Sequence, residues 1–164
     1  MADDNSDPGA LDERSENSAL GEALAAEHAA VWGYGVVGAA LDPSAQPQAS
    51  ASETAHRDVR DRVIDLLTER GADPVGAEGA YALPFPVLSG TDAAALAVVL
   101  EDGVSAAWVR VLDQAAQRST RELAVGALTA AEIRAVGWRA SAGRTPVTSA
   151  FPGLPESRAH RRPG

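Results

Sequence analysis

The sequence contains no cysteine and only seven aromatic residues, three of them Trp. Without thiols the protein has no disulfide bonds, no thiolate metal ligands and no cysteine nucleophile. Long apolar runs are also missing, because no segment reaches the roughly 18 residues that a membrane-spanning helix needs. Residues 1–19 carry six acidic residues and one Arg, which is not the pattern of a signal peptide. These absences together predict a cytoplasmic protein.

Basic residues are also few in comparison with acidic ones. The formal net charge is −9, with 14 basic against 23 acidic residues. Such a balance argues against nucleic acid or an anionic membrane surface as the main partner. The basic segment 158–162 lies in a Pro/Gly-rich end, which is typical of a solvated terminus. We therefore expect neither nucleic-acid binding nor membrane binding.

Composition divides the chain into a central helical domain with two tails. Residues 1–17 are acidic and polar, and we predict that they are disordered. Residues 18–142 hold four predicted helices, over about 18–41, 50–70, 91–117 and 119–142, which form one domain. Residues 143–164 form a Pro/Gly-rich C-terminal tail.

One side of the first helix has a carboxylate where an apolar residue is expected. The seam at spacings of four and three consists of Leu20, Leu24, Glu27, Val31, Tyr34, Gly38 and Leu41. An isolated charge buried on such a seam is too costly to be tolerated. Glu27 is therefore predicted to be either a metal ligand or one half of a buried ion pair.

The connection between the second and third helices predicts the topology. Residues 71–90 contain three Pro and four Gly, and within them Tyr81, Leu83, Phe85 and Val87 alternate with Ala or Pro. This pattern is typical of an extended segment that lays one face on an apolar surface. Twenty extended residues span ~60 Å, more than the ~33 Å of a 22-residue helix. We therefore predict an all-α, ferritin-like up-down-down-up four-helix bundle with a long extended crossover between helices 2 and 3.

Counting helix rises then places residues at common levels of the bundle. We expect Glu27 to lie at the level of about residues 60–63 of the second helix. Glu101 should lie at the level of about residues 59–60 of the second helix and residue 135 of the fourth. A di-iron or di-manganese centre needs a Glu from two helices and Glu-x-x-His from the other two. Arg60, Val63 and Ala135 stand at the required positions instead. This favours a structural ion pair in which Arg60, or Arg57 beside it, pairs with Glu27 and Glu101.

Two other interpretations remain open from the residues. The first is a metal site for iron or manganese built from Glu27, His28, Glu53, His56 and Glu101, although Glu53 and His56 are placed ~10 Å from the level of Glu27. The second is a small-molecule site under the crossover, lined by Tyr81, Phe85 and Trp108.

Three segments together resemble a known family. They are residues 25–38 (AAEHAAVWGYGVVG), residues 55–61 with Ala-His-Arg and Arg-Asp, and residues 80–87 (AYALPFPV). Over roughly residues 19–142 the chain resembles an uncharacterised bacterial family of ferritin-like domains of unknown function. The resemblance implies a ferritin-like bundle without an established activity. The family's Glu-His and His-Arg pairs correspond to Glu27, His28, His56 and Arg57.

Our functional hypothesis from the sequence is a non-enzymatic scaffold for binding or assembly, with a degenerate metal site and no cofactor. It would associate with an unknown protein partner or form a homodimer through the Ala/Gly-rich helix faces. The alternative is a di-iron or di-manganese carboxylate oxidase or an iron-handling protein, so enzymatic activity is left open.

Overall fold

The computed structural model describes residues 8–154, and its regular structure is helical throughout. Four helices follow one another: α1 (Pro8–Ala40), α2 (Gln46–Glu69), α3 (Gly90–Gln114) and α4 (Arg118–Ser141). No β-strand occurs between residues 8 and 154. The predicted all-α class is confirmed.

Contacts at the two ends of the bundle define the helix directions. At one end, Glu16 near the start of α1 bonds Arg70 after α2 and Thr120 at the start of α4. At the other end, Tyr34 of α1 packs on Trp138 of α4, with ring centroids 6.0 Å apart. Because three residues join α3 to α4, these two helices run antiparallel. The helices therefore run up, down, down and up, as predicted.

The crossover between α2 and α3 lies along α1. His28 Nε2 is 3.1 Å from the Val75 carbonyl oxygen, and the rings of Trp32 and Tyr81 lie 5.6 Å apart. Further on, Phe85 packs on the apolar core. The extended segment is thus held by one hydrogen bond and by aromatic contacts, as its alternating sequence predicts. Leu83 is more exposed than its alternating position predicts, at 39%.

Two apolar clusters fill the interior, and many of their members are alanines that allow close helix approach. One contains Leu20, Leu24, Val63, Leu67, Val104 and Trp108 with several Ala. The other contains Tyr34, Val37, Leu96, Val98 and Trp138 with several Ala. Between them lie Glu27, His56 and Glu101, each buried. A polar layer therefore crosses the middle of the bundle.

The predicted boundaries need correction at the N-terminal side. Residues 8–17, predicted to be disordered, are the first turns of α1, because Glu16 is fully buried and bonded to the α3–α4 connection. Residues 1–7 lie outside the described part. The second helix also begins earlier than predicted, at Gln46, with Pro47 in its first turn, where proline is well tolerated.

In the C-terminal tail, residues 144–154 follow the bundle without regular helix. Its large apolar side chains, Phe151 and Leu154, are mostly exposed. The tail approaches α3 closely at Gly153, where an added Cβ would lie 2.6 Å from the Ser105 carbonyl oxygen. The remainder, residues 155–164, lies outside the described part.

Candidate functional site: a buried carboxylate and histidine layer

Each helix contributes one charged side chain to the polar layer. Glu27 comes from α1, His56 from α2, Glu101 from α3 and Arg134 from α4. The first three side chains are 0–1% exposed, and Arg134 is 18% exposed. Any charge on the three inner groups must therefore be balanced by protein groups nearby.

His56 bridges the two carboxylates. Its Nδ1 donates to Glu27 Oε2 at 2.6 Å, and its Nε2 donates to Glu101 Oε1 at 3.2 Å. A carboxylate can only accept, so both ring nitrogens must carry a proton. Burial alone lowers the pKa of His56, but the hydrogen bonds and charges of Glu101 and Glu27 raise it above its ordinary value. This arrangement favours the imidazolium form of the ring.

Glu101 concentrates its donors on one oxygen. Oε1 accepts from Tyr34 Oη at 2.5 Å and from Arg134 Nε at 2.8 Å, besides His56. Burial raises the pKa of Glu101, but the hydrogen bonds and charges of His56 and Arg134 lower it below its ordinary value. Burial and the neighbouring Glu101 also raise the pKa of the Tyr34 phenol. Glu101 is thus an anion held by three donors, one of which is a neutral phenol.

Glu27 has both oxygens satisfied. One accepts from His56, and Oε1 accepts from Trp108 Nε1 at 2.8 Å. Trp108 is fully buried, so its indole N–H needs such an acceptor. The sequence had suggested Trp108 as part of a ligand pocket with Tyr81 and Phe85, but the structure makes it a donor to Glu27 while Tyr81 packs on Trp32.

The structure gives the two carboxylates different cations from those predicted. Arg57 bonds Glu53 at 2.5 Å with its side chain 54% exposed, and Arg60 pairs with Asp61 at the surface. The predicted pairing of Arg60 or Arg57 with Glu27 is therefore corrected to His56. The cause is the short α1–α2 connection of residues 41–45, which shifts α2 by about one turn against α1.

Only part of the alternative metal set converges. Glu27, His56 and Glu101 meet, but His28 faces the crossover and Glu53 binds Arg57 at the surface. Among residues 8–154, no group of three or more His, Cys, Asp or Glu side chains is arranged to hold a metal ion. Both nitrogens of His56 face carboxylate oxygens, so the ring would coordinate a metal only after losing one of these hydrogen bonds.

Arg134 was missed by sequence reasoning although its level was estimated correctly. Helix counting placed Glu101 beside residue 135, one residue from the observed partner. The search there looked for Glu-x-x-His ligands and found Ala135, which is fully buried. A search for a cation one residue away would have found Arg134.

A third buried carboxylate, at the end of the bundle, was also missed by sequence reasoning. Glu16 Oε2 accepts from the backbone N–H groups of Ala116 and Gln117 at 2.7 and 2.9 Å. Its Oε1 accepts from Thr120 Oγ1 and from Arg70 Nη1. Burial raises the pKa of Glu16, but these hydrogen bonds lower it below its ordinary value. The cluster ties α1, the end of α2 and the α3–α4 connection together.

A surface groove lies between α3, α4 and the C-terminal segment, with a volume of about 660 Å³. Arg139 lies in its wall and bonds Asp102 Oδ1 at 2.5 Å and the Val147 carbonyl oxygen at 3.2 Å. Its charge is paired with Asp102 of α3 and Glu132 of α4, and one hydrogen bond holds the tail at Val147. None of the helices in residues 8–154 is long and apolar enough to cross a bilayer.

These features define an all-α protein, a four-helix bundle with one long crossover and a central charged layer neutralised by its own side chains. The chain belongs to the family described as Domain of unknown function (DUF4439), whose model matches residues 19–156. The expected membership of an uncharacterised domain family is thereby confirmed.

The fold also matches a solved structure. This chain is 38% identical to a conserved hypothetical protein, rv2844, from Mycobacterium tuberculosis, with a TM-score of 0.76. The match covers 77% of this chain and 96% of that one. No curated protein matches the sequence.

Proposed function

We propose that this protein is a non-enzymatic binding or assembly module built on a ferritin-like bundle, in which protein cations replace the metals of the central site. The observation that carries the proposal is His56, whose two ring nitrogens both donate to carboxylates that a metal centre would use as ligands. Arg134 adds a second positive charge on Glu101.

Charge balance supports this interpretation. The layer contains two carboxylates, one imidazolium and one guanidinium, so it is neutral without any added ion. A metal ion entering between Glu27 and Glu101 would have to displace the His56 proton and approach the Arg134 guanidinium. Both changes are unfavourable, because like charges repel strongly in a buried site.

The burial of the layer away from solvent also supports the proposal of a metal-free module. An oxidase of the di-metal carboxylate class needs open coordination positions where oxygen or substrate can bind. Here Glu27, His56 and Glu101 are sealed between two apolar clusters and are 0–1% exposed. The layer therefore acts as internal structure, and any binding is left to the outer helix faces.

Metal content tests the proposal directly. The protein is purified without chelator, then exposed aerobically to Fe(II) or to Mn(II), desalted and measured by elemental analysis. We expect no stoichiometric iron or manganese in any of these samples. About two metal ions per chain, lost in Glu27→Ala, would overturn the proposal and favour the di-iron or di-manganese alternative.

The outer face of α4 is the surface that best suits assembly into a homodimer. Its exposed positions from Val125 to Ile133 are Val125, Gly126, Thr129 and Ile133, none of them charged, and Ile133 is 69% exposed. Because each copy carries a net charge of −9, two copies approach with least repulsion through a face without charge. The small Gly126 would allow close helix packing.

Sedimentation measures this assembly. We expect the wild-type protein to sediment as a dimer and Ile133→Arg to sediment as a monomer. Val99→Arg, at an exposed apolar position of α3, serves as the matched control and should remain dimeric. A wild-type protein that stays monomeric at all concentrations, or a dimer that Ile133→Arg leaves intact, would contradict the α4 interface.

A further inference from the structure

Two buried polar atoms in the described part of the chain lack hydrogen-bond partners, namely Glu101 Oε2 and Trp138 Nε1. Both side chains are almost completely buried. Buried polar groups without partners are rare in folded proteins, and each calls for an explanation. One of these atoms is an acceptor and the other is a donor, so their requirements are complementary.

The two groups are neighbours through Tyr34. The Tyr34 ring packs on Trp138, with centroids 6.0 Å apart, and its hydroxyl lies 2.5 Å from Glu101 Oε1. Arg134, which donates to that same oxygen, is one helical turn before Trp138 on α4. Glu101 and Trp138 therefore both contact the Tyr34 side chain.

The chemistry of the two atoms selects the ligand. Glu101 Oε2 needs a donor or a cation, and Trp138 Nε1 needs an acceptor. A metal cation or ammonium cannot accept from the indole N–H, and a halide cannot donate to the carboxylate. Because the layer is already neutral, an additional ion of either sign would also unbalance it. A water molecule can donate to one atom and accept from the other.

We infer that the bundle binds one internal water molecule beside Tyr34, which donates to Glu101 Oε2 and accepts from Trp138 Nε1. This inference rests on the proposed metal-free layer and adds one bound water molecule to it. The water completes the hydrogen bonding of Glu101, so that both of its oxygens are satisfied as both oxygens of Glu27 are. It also links α3 to α4 through a contact that side chains alone do not make.

Nuclear magnetic resonance of the indole groups tests the inference, because the chain has three Trp and therefore three indole N–H signals. The Trp138 signal is assigned by its loss in Trp138→Phe. We expect a cross-peak between the Trp138 indole proton and a long-lived water. The Trp108 indole, which donates directly to Glu27, is the internal control and should show none. The absence of the Trp138 cross-peak would overturn the inference.

A crystal structure supplies an independent measurement. We expect a density peak within hydrogen-bond distance of both atoms in the wild type, retained in Trp32→Phe, whose indole packs on the crossover. A peak with anomalous scattering from iron or manganese would overturn both the water and the metal-free layer. An empty site in a protein without metal would overturn the water alone.

Discussion

Replacing His56 by Leu removes the cation that joins Glu27 to Glu101 and leaves two buried carboxylates to share Arg134. The imidazolium is fully buried and bonded on both sides, so solvent does not screen its loss. Breaking a buried ion pair by removing one partner costs about 3–5 kcal/mol of unfolding free energy. For a domain of this size, each kcal/mol corresponds to about 2–4 °C. We therefore expect the Tm of His56→Leu to fall by about 6–20 °C.

The assays are urea unfolding for the unfolding free energy and thermal unfolding for the Tm, both followed by far-ultraviolet circular dichroism at neutral pH. Arg57→Gln is the matched control on the adjacent residue, where an exposed pair with Glu53 four residues earlier contributes about 0.3–0.5 kcal/mol. The two variants remove one positive charge each from the same helix. A large difference in unfolding free energy between the two variants isolates the effect of burial.

A second substitution shows whether unpaired charge causes the loss. If it does, Glu27→Gln combined with His56→Leu should be more stable than His56→Leu alone, because one of the stranded carboxylates is then neutral. The reasoning is refuted if His56→Leu costs less than about 1 kcal/mol, or if the added Glu27→Gln lowers stability further.

Four further predictions concern pH and the buried carboxylates with their partners. Because its folded pKa is raised, His56 contributes stability that is full below about pH 6.5 and is lost at higher pH, by about 1.4 kcal/mol per unit; pH-dependent unfolding should show this slope in the wild type and lose it in His56→Leu. The lowered pKa of Glu101 gives the opposite dependence, with stability present above about pH 4.5 and lost as pH falls through the folded value. Glu16→Gln should cost about 3–5 kcal/mol in urea unfolding, whereas Glu13→Gln, exposed three residues earlier, should change stability by no more than about 0.5 kcal/mol. Tyr34→Phe should cost about 1.5–3 kcal/mol in the same assay, since the phenol donates to a charged carboxylate, and an unchanged midpoint would contradict that role.

Several features of the molecule were determined by local sequence. The seam of α1 predicted a buried Glu27, because apolar residues at helical spacing leave no solvent-facing position for it. The Pro/Gly content of the crossover predicted its extended form and hence the helix directions, because such a segment cannot be helical and is long enough to span the bundle. Counting along α3 and α4, which a three-residue connection joins, placed Glu101 within one residue of Arg134.

Tertiary structure decided which cation meets Glu27. Pro47 suits a loop or a first helical turn equally well, and the choice shifts α2 by about one turn, so that His56 rather than Arg60 reaches the layer. Tertiary contacts likewise extended α1 to Pro8, because the carboxylate of Glu16 satisfies backbone donors of the distant α3–α4 connection. Periodicity reports which face of a helix is buried, but the depth at which two helices meet depends on the connection between them and on partners far along the chain.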